Sequence, residues 1–320
     1  MTDAPPPSTV SAAAAGTPRS DHSRGLLFGF LAYGLWGLLP LYFVLLTPTG
    51  AFEVVAWRVL FSLVFCLVLL TATRKWGALR AVLRQRRVML TMGLAGLLIF
   101  VNWQTYVFAA MTGHVVEAAL GYFINPIVTV LLGVLILRER LRRIQWIAVA
   151  ISLLAVIVLT VGYGTLPWIS LVLAFTFGFY GLMKKRVGPR VDAVTGLTLE
   201  TAWLAPVAVI QLVVVGSLSG LTFGTVSTAH TLGLLAAGVV TAVPLLLFAA
   251  AARRLPLTVL GLIQFAAPVL QFLVGVVILK EPMPLERWVG FSLVWVALIV
   301  LTVDMIASGR VARRASLQLV

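Results

Sequence analysis

Ten stretches of about 20 mostly apolar residues, divided by short polar or charged breaks, leave this chain few places to fold except across a lipid bilayer. They lie roughly at 25–45, 53–73, 88–110, 115–137, 143–161, 165–184, 193–215, 230–252, 257–279 and 286–306. A transmembrane β-barrel would show short alternating segments in place of these continuous runs, so the expected fold is all-helical. With 61% hydrophobic and 11% charged residues, the chain fits no water-soluble core.

The net charge of +14 raises the question of nucleic acid, and the position of the charges answers it. If the N-terminus is internal and ten helices follow, 21 of the 24 Lys and Arg fall on one side. They occupy the N-terminal tail, the segments 74–87, 138–143, 184–190 and 253–254, and the C-terminal tail at 310–314. Lys280 and Arg287, accompanied by Glu281 and Glu286, remain outside, and Arg58 lies within a span. This is the pattern that holds loops in the cytoplasm, so both termini are expected there and nucleic acid is not an expected partner. Residues 1–24, rich in Pro, Ala, Ser and Thr, read as a disordered cytoplasmic tail without the form of a signal peptide, and 307–320 as a basic cytoplasmic tail. The single cysteine, Cys66, precludes an internal disulfide or a paired-thiol motif.

An internal repeat organises the spans. The segment 126–160 returns at 268–302, at a constant offset of 142 and without a gap, with 13 of 35 positions identical. The matches include Pro126/Pro268, Gly133/Gly275, Glu139/Glu281 and Trp146/Trp288, which shared apolar composition does not produce. "GLWG" at 34–37 echoes "GFYG" at 178–181. The chain therefore divides into two five-helix units, 25–161 and 165–306. Because five is odd, the second unit enters the membrane in the opposite orientation. Inverted repeats of this kind present a central site to either side in turn, which points to secondary transport of a small molecule.

The polar residues of the span 115–137 mark a candidate pathway. At 100° per residue, His114, Glu117, Ala118, Gly121, Tyr122, Asn125 and Thr129 fall within roughly 140° of arc, a face too costly to turn to lipid. Pro126 lacks an N–H and frees the Tyr122 carbonyl, while the small Gly121 admits a neighbouring helix or a ligand. Gln264, Pro268, Gln271 and Gly275 form a matching stripe in the span 257–279, with Pro126 and Pro268 as candidate hinges. Glu117 has two readings, a proton- or substrate-binding carboxylate or an interfacial pair with His114. Glu200, with Trp203 on its face, is open to binding or packing roles. Glu53 and Arg58 are too far round the helix to pair, so Arg58 seeks a partner on another helix, snorkels or meets a substrate anion. "NWQTY" puts Asn102 and Tyr106 on one face with Trp103 and Gln104 elsewhere, and Tyr106 and Trp36 are candidates for stacking on a flat or cationic ligand.

No GxxxxGK[ST] string, metal-ligand cluster or Ser/His/Asp constellation competes with this reading, so no enzyme activity, cofactor or metal is expected. The string "NWQTYVFAAMTGHVVEAALGYFINPIVTVLLGVLILRERLRRIQW", with "LPWISLVLAFTFGFYGLMKKRV" and "GLTLETAWLAPVA", closely resembles the RarD proteins of the drug/metabolite transporter superfamily, of EamA type. The resemblance spans 25–306. It implies a ten-helix permease of the bacterial inner membrane, with a link to chloramphenicol sensitivity or resistance. Asn102, Trp103, His114, Glu117, Gly121, Tyr122, Asn125, Pro126, Glu139 and Glu200 match the family pattern, whereas Val44 stands where the family often has a lysine. The expected function is alternating-access transport of a small metabolite or drug, with protons as candidate coupling ions. An uncoupled facilitator, a lipid-linked-precursor flippase and a structural membrane protein are the alternatives.

Overall fold

The computed structural model describes residues 18–317 apart from 138–142, 188–190, 253, 256–258 and 260–262. Glu139, Arg253 and the first 17 residues of the expected tail lie outside the described residues. The described chain is helical: α1 (Pro18–Leu45), α2 (Ala51–Ala72), α3 (Trp76–Leu83), α4 (Arg86–Met111), α5 (Val115–Leu137) and α6 (Arg143–Tyr163). It continues with α7 (Trp168–Val187), α8 (Ala193–Leu218), α9 (Thr228–Ala252), α10 (Ala266–Leu273, followed by a π-helical turn over Val274–Ile278) and α11 (Leu285–Leu317). Eight of these helices are long and apolar enough to cross a membrane. The expected sixth and ninth spans correspond to two shorter apolar helices, Trp168–Lys184 and Ala266–Ile278. Large apolar side chains line the outer surface, Leu218 at 82% and Val161 at 77% exposure, an arrangement that hydrocarbon tolerates and water does not.

Three expectations are corrected. The tail does not extend to residue 24, since α1 already begins at Pro18. The basic segment after α2 contains the short helix α3, which buries Leu79 and Val82 against Leu70, Val88, Met92 and Leu199. Pro268 does not repeat the mid-helix position of Pro126. Pro126 lies inside α5, whereas α10 opens after the cap residue Phe265, so Pro268 occupies its first turn. A missing N–H is harmless there because the first turn has no intrahelical acceptor for it.

Each helix has identifiable partners. α5 packs on α7 and α10, α4 on α7 and α8, α9 on α1 and α2, and α1 on α10, while α2 meets α8 and α6 meets α11. One buried apolar cluster joins α1, α2, α4, α5, α7, α8 and α9 around Phe43, Val59, Ile99, Tyr106 and Leu173. A second, around Phe123, Leu159, Phe272 and Phe291, binds α5 and α6 to α10 and α11. Two glycines fix the placement of α5. Gly113, at φ +73°, follows α4 in the left-handed region, and the His114 N–H closes back on the Ala109 carbonyl at 2.8 Å, so α5 starts directly beside the end of α4. A Cβ on Gly121 would lie 2.8 Å from the Ser170 carbonyl oxygen, so only glycine allows α5 and α7 this approach.

Candidate functional site

The polar arc read from the sequence divides in space into an inner knot and a mouth beside the α4–α5 connection. Asn102, buried on α4, is the centre of the knot. Its amide donates to the Leu173 carbonyl and to Thr176 Oγ1, both at 3.1 Å, and its oxygen accepts from the Tyr122 hydroxyl at 3.0 Å. Asn125 donates to the Ala174 carbonyl at 3.0 Å. The Tyr106 ring stands edge-on to Tyr122, with centroids 5.6 Å apart, and its buried hydroxyl has no hydrogen-bond partner. Asn102, Tyr106, Tyr122 and Asn125 are thus brought together; Asn102 and Asn125 tie α4 and α5 to α7, and Tyr122 ties α5 to α4.

Arg58 adjoins this knot from α2. It is 4% exposed, its Nε donates to Thr241 Oγ1 on α9 at 2.8 Å, and its guanidinium lies 4.5 Å from the Trp103 ring centroid and 5.5 Å from that of Phe43. Trp103, set apart from Asn102 in the sequence reading, therefore belongs to the cluster. It stands 60° from Tyr106 on an ideal helix, close enough to share one wall.

His114 and Glu117 lie at the mouth. They line a cleft of about 300 Å³ with Phe108, Trp168, Arg287 and Phe291. Glu117 Oε1 accepts from the Ile169 N–H at 3.2 Å, and the Ser170 hydroxyl donates to the Glu117 carbonyl at 2.6 Å. The expected pair is not a direct hydrogen bond: His114 Nδ1 lies 3.0 Å from Thr112 Oγ1, and Glu117 instead caps the start of α7. Two further carboxylates also hold backbone N–H groups, Glu281 at the start of α5 and Glu53 in the turn between α8 and α9. Glu281 accepts from the N–H groups of Val115 at 2.6 Å and Val116 at 2.9 Å. Burial pushes its carboxyl above the usual carboxylate range, against the pull of those donors. Glu53, 1% exposed, accepts from the Thr222 and Phe223 N–H groups, the Thr222 hydroxyl and Trp57 Nε1. The sequence signal for Glu281 was its match to Glu139. Nothing in the sequence singled out the Glu53 contact with Thr222.

The remaining candidates lie apart. Glu200, 2% exposed, pairs with Lys184 at 2.8 Å and accepts from the Tyr180 hydroxyl at 3.2 Å. Trp203 does not share this setting, being 45% exposed. Gln271 donates to the Trp36 carbonyl at 3.2 Å, and its buried Oε1 has no partner. Trp36 packs on Tyr33 and Phe248 and also against the apolar cluster that contains Tyr106. Gln264 is exposed in a turn before α10. Near α3, Lys75 pairs with Asp192, the cap of α8, at 2.8 Å.

Comparison with known proteins decides the family. The EamA-like transporter family matches residues 23–161. The protein RarD of Streptomyces exfoliatus is 49% identical over 92% of this chain and 93% of its own length. This chain belongs to the RarD group of EamA-type transporters. The protein RarD of Escherichia coli K12 is 40% identical over 90% of this chain and 96% of its own. A solved crystal structure superposes with a TM-score of 0.56, covering 88% of this chain and 98% of the other at 22% identity, which shows likeness of fold alone. Membership and the apolar helices together make the chain a multi-pass membrane protein of a transporter family.

Proposed function

We propose that the chain is a secondary transporter of a small metabolite or drug in the bacterial inner membrane, working by alternating access between two five-helix units of opposite orientation. The observation that carries this reading is the pattern of helix packing. Exchanging α1 with α7, α2 with α8, α4 with α9, α5 with α10 and α6 with α11 maps the nine principal packing pairs, those named above, onto one another, although lesser pairs such as α2 with α4 and α1 with α4 have no such counterpart. α5 on α7 becomes α10 on α1, α4 on α7 becomes α9 on α1, and α4 on α8 becomes α9 on α2, while α2/α8, α5/α10 and α6/α11 exchange with themselves. A pseudo-two-fold axis has this effect, and an in-plane axis lets the units rock about a central site. The end of the family match at residue 161 is consistent with the proposed boundary.

In this arrangement the contacts of Glu53, Glu117 and Glu281 all cross between units at the end assigned to the outside, and Lys75 with Asp192 crosses at the other. These are the contacts that the rocking motion would break and remake. The knot of Asn102, Tyr122 and Asn125 lies between them and forms the seam along which substrate passes. Energy comes from a gradient, and Glu117 at the mouth is the proposed proton-coupling carboxylate. The link to chloramphenicol rests on the family resemblance.

The test is flux into sealed proteoliposomes with and without a pH gradient, using compounds that differ in abundance between deletion and overexpressing cells. Glu117→Gln keeps an amide oxygen for the Ile169 N–H, so the variant should express normally and lose the dependence on the gradient. Wild-type pH dependence in that variant removes Glu117 from the coupling step, and absence of saturable flux for every compound defeats the transport reading.

A further inference from the structure

Arg58 is a cation in the wrong place for a structural residue. It stands eight residues beyond the cap Gly50 of α2, about 12 Å along the axis and so near the middle of the membrane-spanning length. Its head does not snorkel to an interface, because the side chain is 4% exposed. A buried guanidinium normally faces a carboxylate, since an unpaired charge in low dielectric costs several kcal/mol. No described carboxylate faces it. Glu53 holds the 222–223 backbone, Glu117 holds Ile169, Glu281 holds Val115 and Val116, and Asp192 and Glu200 have their own lysines. Among the described residues, the only hydrogen bond that Arg58 makes is to the neutral Thr241, and Nη1 has no partner there.

The groups around that nitrogen have the features of a binding site. The Tyr106 hydroxyl is a second buried donor without a partner. The hydroxyls of Tyr122, Tyr106 and Tyr42 are within electrostatic reach of the guanidinium. Trp103 and Phe43 supply flat apolar walls at 4.5 and 5.5 Å. Two unused donors call for an acceptor, the uncompensated positive charge calls for an anion, and the ring walls call for a flat apolar body beside it. Resting on the transport reading above, we propose that Arg58 and Tyr106 anchor the substrate, and that the substrate is an organic anion whose carboxylate or phosphate is joined to an aromatic or similarly flat apolar group. A cationic or strictly neutral substrate would leave Arg58 uncompensated at every stage of the cycle.

The experiment uses the full chain in lipid nanodiscs and follows thermal unfolding while titrating benzoate, phenyl phosphate, the uncharged benzamide and the cationic benzylamine. A ligand of the folded state raises the unfolding temperature in a saturable way. Benzoate or phenyl phosphate should do so while benzamide and benzylamine do not, and the stronger of the two anions tells carboxylate from phosphate. Arg58→Gln should weaken the anion's dissociation constant about 10- to 100-fold, the usual scale for losing a charged hydrogen-bond donor. Arg58→Lys should retain part of the effect, and Tyr106→Phe, which removes only the unused hydroxyl, should weaken binding several-fold. The last two keep the test decisive if Arg58→Gln does not fold. Equal stabilisation by benzamide, an undiminished anion effect in the Arg58 variants, or no response to either anion overturns the proposal. If saturable flux of a neutral or cationic compound survives in proteoliposomes, the anion site alone has failed. If flux is absent for every compound, the transport reading has failed with it.

Discussion

Replacing Glu53 tests whether buried carboxylates hold together the end of the bundle where the α1–α2 and α8–α9 connections meet. The side chain is 1% exposed and takes hydrogen bonds from two backbone N–H groups, one hydroxyl and one indole, at 2.9 to 3.1 Å. In Glu53→Gln one oxygen becomes an NH₂ group that meets donors, so at least one backbone N–H loses its acceptor in a buried setting. Hydrogen bonds to charged groups contribute about 1.5–3 kcal/mol, and orphaning a buried donor costs a similar amount, so the loss should be about 3 kcal/mol. Glu53→Ala removes every acceptor and leaves a void, and should cost about 4–5 kcal/mol. At a few degrees per kcal/mol for a chain of this size, the unfolding temperature in nanodiscs should fall by roughly 5 °C for Gln and by more for Ala. The freed 221–226 segment should also expose Thr222→Cys, in a Cys66→Ala background, to an impermeant maleimide faster than in the parent. Both variants unfolding within about 1 °C of the parent, with unchanged labelling, would refute the account of this carboxylate.

Gly121→Ala should force α5 and α7 apart, since its methyl would meet the Ser170 carbonyl oxygen at 2.8 Å; a loss of about 1–3 kcal/mol is expected by thermal unfolding, and a neutral outcome would contradict the close approach. Burial raises the Asp192 carboxyl, but the bonds from Lys75 and Thr195 outweigh it and hold the group below the usual carboxylate range. A folded-state value below the unfolded one means that the contribution is present above about pH 4 and is lost as pH falls through the folded value. Lys75→Gln should therefore destabilise at neutral pH and converge on the parent in acid. With about a third of each partner exposed, the difference should stay below about 1 kcal/mol. A constant difference across the range would assign Lys75 another role.

Most of the helical framework was legible because apolar runs of membrane length leave little choice of secondary structure, and most of their ends fall within a few residues of the helices found, whereas α1 starts seven residues early, α10 nine residues late and α11 ends eleven residues late. The exceptions have physical causes. α3 has only eight residues and two buried apolar positions, too few to stand out in a basic segment. Pro268 matched Pro126 in register, but register does not tell whether a proline lies in a first turn or in mid-helix. Helical geometry places His114, Glu117, Tyr122 and Asn125 on one arc, and the structure turns Glu117 and Asn125 to α7 and Tyr122 to Asn102 of α4. What those residues bind was not legible, because the partners of Glu117 and Asn125 are a backbone N–H and a backbone carbonyl of α7, which carry no sequence signature. Arg58 stood out as an intramembrane cation, yet only the fold shows that its neighbours are Thr241, Trp103 and Phe43 and that no described carboxylate meets it.

The central claim, two five-helix units of opposite orientation, is tested most directly by mapping which side of the membrane each loop occupies. In a Cys66→Ala background, single cysteines at Arg80, Arg254, Thr222 and Lys280 are treated with an impermeant maleimide in intact and in permeabilised cells. The account predicts that Arg80→Cys and Arg254→Cys react only after permeabilisation and that Thr222→Cys and Lys280→Cys react in intact cells. Finding positions 80 and 254 on opposite sides would contradict it.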